Sequence, residues 1–392
     1  MSSTRSTFKE GKSEVEKSTV LLLAAKIVQK SSKARPADAV LRDELKASHG
    51  LSREAASEVS RAVFAHFRWR GWLDLNDAPL KQIQIALELE ARFKKQLASF
   101  SDAELVERAV PSWVRAEMEV TAAWARALQA EPRLWLRARK GEAGRLAARL
   151  SDCRVHTGGA SADAVEYLGR QDLFRTAEFQ SGLFEVQDIS SQAVGLICAP
   201  RPGEAWWDAC AGEGGKLLHL SDLMQNRGLI WASDRAEWRL KKLQRRTARA
   251  RVFNYRARLW DGSAGLPTKT RFDGVLVDAP CSGIGTWQRN PHARWTTTIN
   301  DVHELAELQK NLLAHAGAAV KPGGKLVYSV CSLARVETVD IMTAFEAAFP
   351  QFKRLEIANP LQRGLKAEPH LFLRTEGSGG NGMFVAAWKR VS

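Results

Sequence analysis

Short apolar runs alternate with polar or helical stretches from Ala205 onward, and this alternation is the strongest constraint on the fold of the chain. The runs are AWWDAC, GLIWASD, RVFNY, FDGVLVDAP and GKLVYSVCS. Such an alternation predicts a series of β–α–β units and therefore a parallel sheet. Because ligands of these sheets bind at the carboxyl ends of the strands, we expect the functional side chains to follow these runs.

The first half of the chain has a different pattern. Apolar residues recur every three or four positions from Val20 to Ile27, and Ser52 stands where it can cap a further helix. A length of 392 residues suggests two or three domains. The predicted bounds are a disordered N-terminus at 1–17, an all-α domain at 18–130, a small α/β module at 131–183 and the β–α–β domain at 184–392.

The charge of the chain favours a polyanionic partner. Its 58 Lys and Arg residues against 44 Asp and Glu residues give a net charge of +14, and basic side chains bind phosphates by releasing counterions. The stretch 233–258 is densely basic, with only Asp234 and Glu237 opposing its arginines and lysines. A merely solvated helix face would mix both signs. We therefore expect this stretch, including Arg245 and Arg246, to face a nucleic acid.

Cysteine usage and the N-terminal composition exclude several classes of protein. The five cysteines are widely spaced and form no CxxC pair, so we expect neither a metal site nor a disulfide framework. The N-terminus lacks the apolar core of a signal peptide, and the run VLLLAAKIV is too short to span a bilayer. We expect a cytoplasmic monomer that does not bind membranes.

A glycine-rich turn follows the first apolar run, in AWWDACAGEGGKLLHL. Its glycines allow the backbone to approach a ligand closely. A turn of this kind suits NAD, ATP or S-adenosylmethionine, but neither the GxGxxG nor the P-loop pattern is present. The turn alone therefore does not choose among these cofactors.

Acidic residues at three successive strand ends favour S-adenosylmethionine. Asp208 ends the first strand, Asp234 is placed to accept hydrogen bonds from a ribose diol, and Asp261 is placed to meet an adenine amino group. The residues predicted to bind this cofactor are Asp208, Ala209, Cys210, Ala211, Gly212, Gly214, Lys216, Asp234, Arg239, Asp261 and Asp278.

Two cysteines follow later strands, in DAPCSGIGTWQRNPHARW and YSVCS. Free cysteines are often small core residues, but Cys281 and Cys331 both stand where the ligand crevice begins. Methylation of carbon 5 of a pyrimidine needs a thiolate that adds to carbon 6. The carboxylate of Asp278 is placed to hydrogen-bond the edge of cytosine. Enzymes that methylate amino nitrogens usually carry two prolines and an aromatic residue at this position, so DAPC favours carbon methylation. From these residues alone, either cysteine could be the nucleophile.

These segments together resemble the RsmB/Nop/Sun family of RNA 5-methylcytosine methyltransferases. DACAGEGGK, DAPCSGIGTWQRNPHARW and YSVCS carry the resemblance, with FEVQDISSQAV before them and NGMFVAAW after them. It implies a Rossmann-like class I domain that uses S-adenosylmethionine, preceded by an all-α NusB-like domain at 18–130 and a small RNA-binding module at 131–183. The family's partner is RNA, with ribosomal RNA favoured over transfer RNA by the NusB-like region.

The resemblance also assigns roles to the catalytic candidates. It implies that Cys331 is the nucleophile and that Cys281 assists breakdown of the covalent adduct. It implies that Asp278 contacts the target base and that Lys216 is a polar contact in the active site. In the loop after Cys281, it suggests contacts between RNA and two arginines, so the RNA-binding candidates are Arg289, Arg294, Arg245 and Arg246.

The chain departs from the family pattern at two places. The turn reads CAGEGGKL where the family usually has CAAPGGKT, and the later motif reads VCS instead of TCS.

Three alternative functions stay open: a non-catalytic RNA-binding or ribosome-assembly factor on the same scaffold, an enzyme acting on transfer RNA, and a DNA methylase in which Cys281 would attack.

Overall fold

The computed structural model describes residues 18–392, so the N-terminal segment predicted to be disordered lies outside the described residues. The chain divides into two compact units. One is a helical unit of residues 18–131 together with Trp287–Ile299, and the other contains Pro132–Thr286 and Asn300–Ser392. A segment from the middle of the predicted β–α–β domain therefore belongs to the helical unit.

The helical unit is built on amphipathic helices with a shared apolar core. Ser52 caps the third helix as predicted, because its Oγ accepts a hydrogen bond from the backbone N–H of Ala55 at 3.0 Å. Val59 and Val63 of that helix are fully buried. The helices are α1 at 18–30, α2 Ala37–Ala47, α3 Arg53–Arg68, α4 Pro79–Lys95, α5 Asp102–Arg108, α6 Val114–Glu117 and α7 Ala122–Gln129.

A small antiparallel sheet opens the second unit. Its strand order is β2-β3-β1-β4, and its last strand begins at Phe184, one residue beyond the predicted end of the module. Arg137 of this sheet forms an ion pair with Asp222 of the larger domain at 2.8 Å. The elements are β1 Leu134–Ala138, α8 Ala143–Leu150, β2 Cys153–Val155, β3 Ala164–Tyr167, α9 Ala177–Gln180 and β4 Phe184–Val186.

The larger sheet contains the parallel core that the alternating pattern predicts. Five strands run in parallel in the order β9-β8-β5-β6-β7, and β12 pairs antiparallel with β9. Two short strands, β10 and β11, pair antiparallel with β12. The strands are β5 Ala205–Asp208, β6 Leu229–Asp234, β7 Tyr255–Leu259, β8 Phe272–Asp278, β9 Val320–Val330, β10 Phe352–Arg354, β11 Leu371–Leu373 and β12 Met383–Arg390.

Alternate residues of each strand enter separate apolar clusters on the two faces of this sheet. Trp206 and Leu276 belong to one cluster, whereas Trp207 and Val275 belong to the other. This is the burial expected of a parallel sheet covered on both sides. The remaining helices are α10 Ile189–Cys198, α11 Gly215–Leu223, α12 Glu237–Arg249, α13 Pro291–Thr296, α14 Ile299–Gly317, α15 Val339–Ala348 and α16 Thr375–Ser378.

The predicted strand RVFNY is wrong in its position, because the strand begins only at Tyr255. Arg251 has a positive φ of 53°, which ends the preceding helix with a turn. The backbone N–H groups of Phe253 and Asn254 then donate to the side-chain oxygen of Asn226. Val252 is buried although it lies outside any strand, so its apolar character reflects burial in a turn.

The segment Trp287–Ile299 enters the core of the helical unit. Trp287 is fully buried and stacks on Trp124, with ring centroids 6.5 Å apart. The indole N–H of Trp295 donates to the backbone oxygen of Phe67 at 2.7 Å. These contacts fix a segment that begins six residues after Cys281.

No helix within residues 18–392 has both the length and the apolar character needed to cross a bilayer.

Candidate active site

A cavity of about 410 Å³ opens at the carboxyl ends of the parallel strands, where the sequence predicted a ligand site. Both Cys281 and Cys331 lie in its wall. Ten of the eleven residues predicted to bind a cofactor also line it, namely Asp208, Ala209, Cys210, Ala211, Gly212, Lys216, Asp234, Arg239, Asp261 and Asp278.

Gly214 is the predicted residue that does not line the cavity, and its role is structural. Its φ is +86°, and a Cβ placed on it would lie 2.8 Å from Cγ of Leu243. Glycine is therefore required both by the backbone conformation and by the packing of α12 against the turn. Other residues that line the cavity were not predicted, including Trp260, Leu308 and Leu312. Trp260 directly precedes Asp261, whereas no local signal marks the two leucines of α14.

The glycine-rich turn is anchored by Asp234. One carboxylate oxygen of Asp234 accepts from the backbone N–H of Gly212 at 3.1 Å, and the other accepts from Ala236 at 2.8 Å. The backbone N–H of Ala211 donates to the carbonyl of Ser233 at 2.8 Å. The end of β6 therefore fixes the loop that follows β5. An ionised carboxylate has about four acceptor positions, so Asp234 retains capacity to accept hydrogen bonds from a ligand.

Asp208 is a buried acid without a side-chain hydrogen-bond partner. It has no exposed surface, no side chain among the described residues donates to its carboxylate, and the backbone N–H of Cys210 is the one donor that acts on its pKa. Burial, together with the nearby charge of Asp278, raises the pKa of Asp208 to about 7. A buried carboxylate of this kind at a cavity wall favours a cationic ligand or a hydrogen-bond donor.

The thiols of Cys281 and Cys331 are in contact. Their sulfur atoms lie 3.3 Å apart, and both residues are half-buried. The hydrogen bond to Cys331, followed by burial, raises the pKa of the Cys281 thiol well above its usual range. Cys281 is therefore held as a thiol, which can donate a hydrogen bond to the sulfur of Cys331.

A buried ion pair lies in the same cavity wall. The ammonium group of Lys216 is 2.7 Å from one oxygen of Asp278, and the hydroxyl of Ser329 donates to the other oxygen at 2.7 Å. Burial disfavours the charge on Lys216, but the carboxylate of Asp278 outweighs it, and the pKa of Lys216 is raised. The lysine therefore stays protonated, and its contact with Asp278 fixes the orientation of that carboxylate.

The structure separates the four arginines that were predicted to contact RNA. Arg245 and Arg289 are exposed. Arg246 is half-buried and pairs with Glu185 at 2.9 Å, so it contributes to the packing of α12 against the small sheet. Arg294 has no exposed surface, and RNA cannot reach it in this structure.

The prediction for Arg294 is therefore wrong, and the reason is its place in the helical unit. Its guanidinium donates to four backbone carbonyl oxygens, at distances of 2.9 to 3.3 Å. Burial lowers the pKa of Arg294 to about 9, which still leaves it charged at neutral pH. The carbonyl groups belong to Arg68, Ala109, Leu128 and Trp287.

Comparison with known proteins identifies the family. A family model described as 16S rRNA methyltransferase RsmB/F matches residues 195–389. The ribosomal RNA small subunit methyltransferase B of Shewanella oneidensis is 30% identical over 312 residues, which cover 76% of this chain and 69% of that protein. The chain belongs to the RsmB/Nop/Sun family. A probable ribosomal RNA small subunit methyltransferase B of Bacillus subtilis is 34% identical over 248 residues, covering 60% of this chain. The chain spans about half the length of that relative, 54%.

Two solved structures share the fold of this chain. The crystal structure of PH0851 superposes with a TM-score of 0.76 over 93% of this chain and 97% of that chain, at 21% identity, and shows the same fold. NSun6 from Pyrococcus horikoshii, solved with SFG, superposes with a TM-score of 0.51 at 25% identity, over 57% of each chain. SFG is an analogue of S-adenosylmethionine, the cofactor of the family.

The cavity fits S-adenosylmethionine by the chemistry of its walls. The cofactor carries a positive sulfonium and a positive amino group, and the buried carboxylate of Asp208 offers a counter-charge. Asp234 and Asp261, which were predicted to meet its ribose and adenine, line the same cavity. Glu213, which replaces the family's proline, also lines the cavity and pairs with Lys242 at 2.8 Å. This unusual acid is therefore neutralised by a residue of α12.

Proposed function

We propose that this protein is an S-adenosylmethionine-dependent RNA (cytosine-5)-methyltransferase whose substrate is ribosomal RNA. The observation that carries the proposal is the contact between Cys281 and Cys331, whose sulfur atoms lie 3.3 Å apart. The two thiols share one cavity with Asp278 and Lys216. Transfer of a methyl group to oxygen or to an amino nitrogen needs no thiol nucleophile, whereas carbon 5 of cytosine becomes nucleophilic only after a thiolate adds to carbon 6.

Cys331 is proposed to form the covalent bond to the base. Its thiolate adds to carbon 6, and the electron pair of the carbon 5–carbon 6 double bond shifts to carbon 5. S-adenosylmethionine, when bound, would supply the methyl group for that carbon, with the methyl–sulfonium bond broken and S-adenosylhomocysteine as the leaving group. A base then removes the proton from carbon 5, the carbon–sulfur bond breaks, and the double bond re-forms. The thiol of Cys281, with its raised pKa, donates a hydrogen bond to the sulfur of Cys331 as that sulfur leaves carbon 6.

Asp278 and Lys216 are proposed to orient the base and to balance charge. A carboxylate at the end of β8 accepts hydrogen bonds from the amino edge of cytosine, and thus selects cytosine over uracil. The contact with Lys216 at 2.7 Å and the hydrogen bond from Ser329 fix that carboxylate before the substrate arrives. Such preorganisation is a main source of catalysis in buried sites.

The substrate class is proposed from charge and from the names of the relatives. The net charge of +14 suits a polyanion, and both relatives described above are ribosomal RNA methyltransferases by name. Near the cavity, the exposed ring of Trp238 is flanked by the cationic groups of Arg239 and Lys242, at 5.3 and 4.9 Å. Exposed aromatic rings beside cations are the groups on which unpaired RNA bases stack.

Methyl transfer to RNA from a strain without the gene tests the proposal. Purified protein with methyl-labelled S-adenosylmethionine should label small-subunit ribosomal RNA, and bisulfite sequencing should show one or a few newly protected cytosines. Labelling of transfer RNA alone would show that the substrate is transfer RNA and not ribosomal RNA. Cofactor binding without transfer to any RNA would contradict the enzyme assignment and favour an assembly factor.

A further inference from the structure

A buried carboxylate that the proposed chemistry does not use lies beside the two cysteine loops. Glu337 has no exposed surface, and it does not line the cofactor cavity. It lies in a short turn between β9 and α15. A buried carboxylate is costly unless its oxygens are satisfied by hydrogen bonds, so its retention at this place needs an explanation.

Four hydrogen-bond donors converge on this carboxylate. One oxygen accepts from the backbone N–H of Ser282 at 2.8 Å and from the side-chain amide of Gln309 at 2.9 Å. The other oxygen accepts from the hydroxyl of Ser332 at 2.5 Å and from the hydroxyl of Ser282. A carboxylate has about four acceptor positions, so these four donors satisfy the buried side chain of Glu337 and fix its orientation.

The positions of these donors connect Glu337 to both cysteines. Ser282 directly follows Cys281, and Ser332 directly follows Cys331. The amide of Gln309 also donates to the backbone oxygen of Pro280 at 2.9 Å. The carboxylate of Glu337 is therefore hydrogen-bonded to the residue after each cysteine. Gln309, which donates to this carboxylate, is also hydrogen-bonded to the residue before Cys281.

We propose that Glu337 is a positioning residue for both cysteines: its carboxylate holds the loops after β8 and β9 at the separation where the two thiols touch. The consequence for methyl transfer rests on the proposed function, but the separation of the thiols can be measured without RNA. The loops have a further link, since the backbone N–H of Gly285 donates to the carbonyl of Cys331 at 3.0 Å. That link does not involve the side chain of Glu337.

Graded variants separate the contributions of the carboxylate. Glu337→Gln keeps the shape but replaces one acceptor oxygen by an N–H₂ donor, which the hydroxyls of Ser282 and Ser332 must accommodate. Glu337→Ala removes all four hydrogen bonds. Glu304→Gln makes the same charge change at an exposed position of α14 and is the matched control. Thermal unfolding and circular dichroism of each variant establish that it is folded.

Disulfide formation with oxidised glutathione reports the contact between the thiols. The reaction oxidises the thiols of Cys281 and Cys331 to one disulfide and reduces one oxidised glutathione to two thiols. Mass spectrometry of the peptides gives the fraction oxidised at each glutathione ratio. We expect the equilibrium constant to fall at least about tenfold in Glu337→Ala, less in Glu337→Gln and not at all in Glu304→Gln, since disulfide geometry tolerates little displacement. An unchanged constant in a folded Glu337→Ala would overturn the proposal.

Steady-state kinetics provide the second readout. We expect kcat to fall about 10- to 100-fold in Glu337→Ala, because small misplacements of reacting groups have effects of this size. The dissociation constant for S-adenosylmethionine should stay unchanged, since Glu337 is outside the cavity wall. If the disulfide equilibrium shifts while the wild type methylates no RNA, the proposed function fails and the positioning role stands. If the wild type is active and Glu337→Ala matches it in both assays, the positioning role fails.

Discussion

The sulfur atoms of Cys281 and Cys331 lie 3.3 Å apart although fifty residues separate them in the chain. The register of the sheet brings them together, because Asp278 of β8 pairs with Ser329 of β9 in neighbouring parallel strands. Cys281 follows three residues after Asp278, and Cys331 follows two residues after Ser329. The loops that leave two adjacent strands therefore carry the two thiols into one cavity.

Replacing each cysteine separately should have opposite consequences for the covalent adduct. Cys331→Ala should lower kcat at least about 1,000-fold, because losing a nucleophile removes the chemical step and not merely a contact. Cys281→Ala should retain adduct formation but release the RNA slowly. Denaturing gel electrophoresis with labelled RNA should therefore show a protein–RNA band for Cys281→Ala and none for Cys331→Ala.

Cys153→Ala provides the matched control, since Cys153 lies in the small sheet, away from the cavity wall. It should leave turnover and the gel pattern unchanged. Normal turnover by Cys331→Ala would refute the assignment of the nucleophile. An adduct in Cys331→Ala together with none in Cys281→Ala would exchange the two roles.

Breaking the ion pair between Lys216 and Asp278 should affect chemistry more than substrate binding. Lys216→Met leaves the carboxylate of Asp278 without its cation at 2.7 Å, so its orientation is lost. We expect kcat to fall about 100-fold, the usual cost of removing one preorganised polar group. Lys241→Met is the control, because Lys241 forms an exposed pair with Glu237 on α12. Equal kcat values for both variants would contradict a role for the buried pair.

Asp208 should make the stability of the cofactor-free protein depend on pH. Its pKa is raised to about 7 in the fold, whereas an aspartate in an unfolded chain titrates near 4. Between about pH 4 and pH 7 the folded state therefore binds more protons, and the free energy of unfolding falls as pH rises. Above pH 7 the full cost of the buried charge is present, on the order of 4 kcal/mol at about 1.4 kcal/mol per pKa unit.

Asp208→Asn removes this titration. The free energy of unfolding of Asp208→Asn minus that of the wild type should be larger at pH 8 than at pH 5, as measured by urea denaturation without cofactor. It should also weaken binding of S-adenosylmethionine, because the counter-charge is lost. Asp261→Asn, at an exposed position of the same cavity, should show no such change with pH. An equal stability difference between Asp208→Asn and wild type at both pH values would argue against the raised pKa.

The sequence was sufficient to predict where the site forms. Parallel strands end at one edge of the sheet, so acids and cysteines at strand ends must meet there, and Asp208, Asp234, Asp278 and Cys331 do line one cavity. The roles of the two cysteines were not predictable from spacing, because both occupy equivalent places after neighbouring strands. Glu337 carried no local signal, since its importance depends on partners at 282, 309 and 332.

Predictions failed where a local pattern had two physical explanations. RVFNY has the apolar and aromatic residues of a strand, but Asn226 binds its backbone N–H groups and keeps it in a turn. Arg294 lies in a basic loop after Cys281, as an RNA-contacting arginine would. Its carbonyl partners at positions 68, 109 and 128 become neighbours only when the helical unit folds.

The contrast between Arg294 and Arg245 gives a test that separates folding from RNA binding. Arg294→Met removes every hydrogen bond to four backbone carbonyl groups, and buried acceptors left without donors cost about 1 to 3 kcal/mol each. Since some relaxation is expected, we predict a loss of about 3 kcal/mol or more from the unfolding free energy of the helical unit, measured by urea denaturation.

Arg245→Met, on the exposed side of α12, should change the free energy of unfolding by less than about 0.5 kcal/mol. It should instead weaken RNA binding and reduce the slope of log affinity against log salt by about 0.7 to 0.9. Arg294→Met, assayed where it is folded, should leave that slope intact; a reduced slope in this variant would restore Arg294 as an RNA contact.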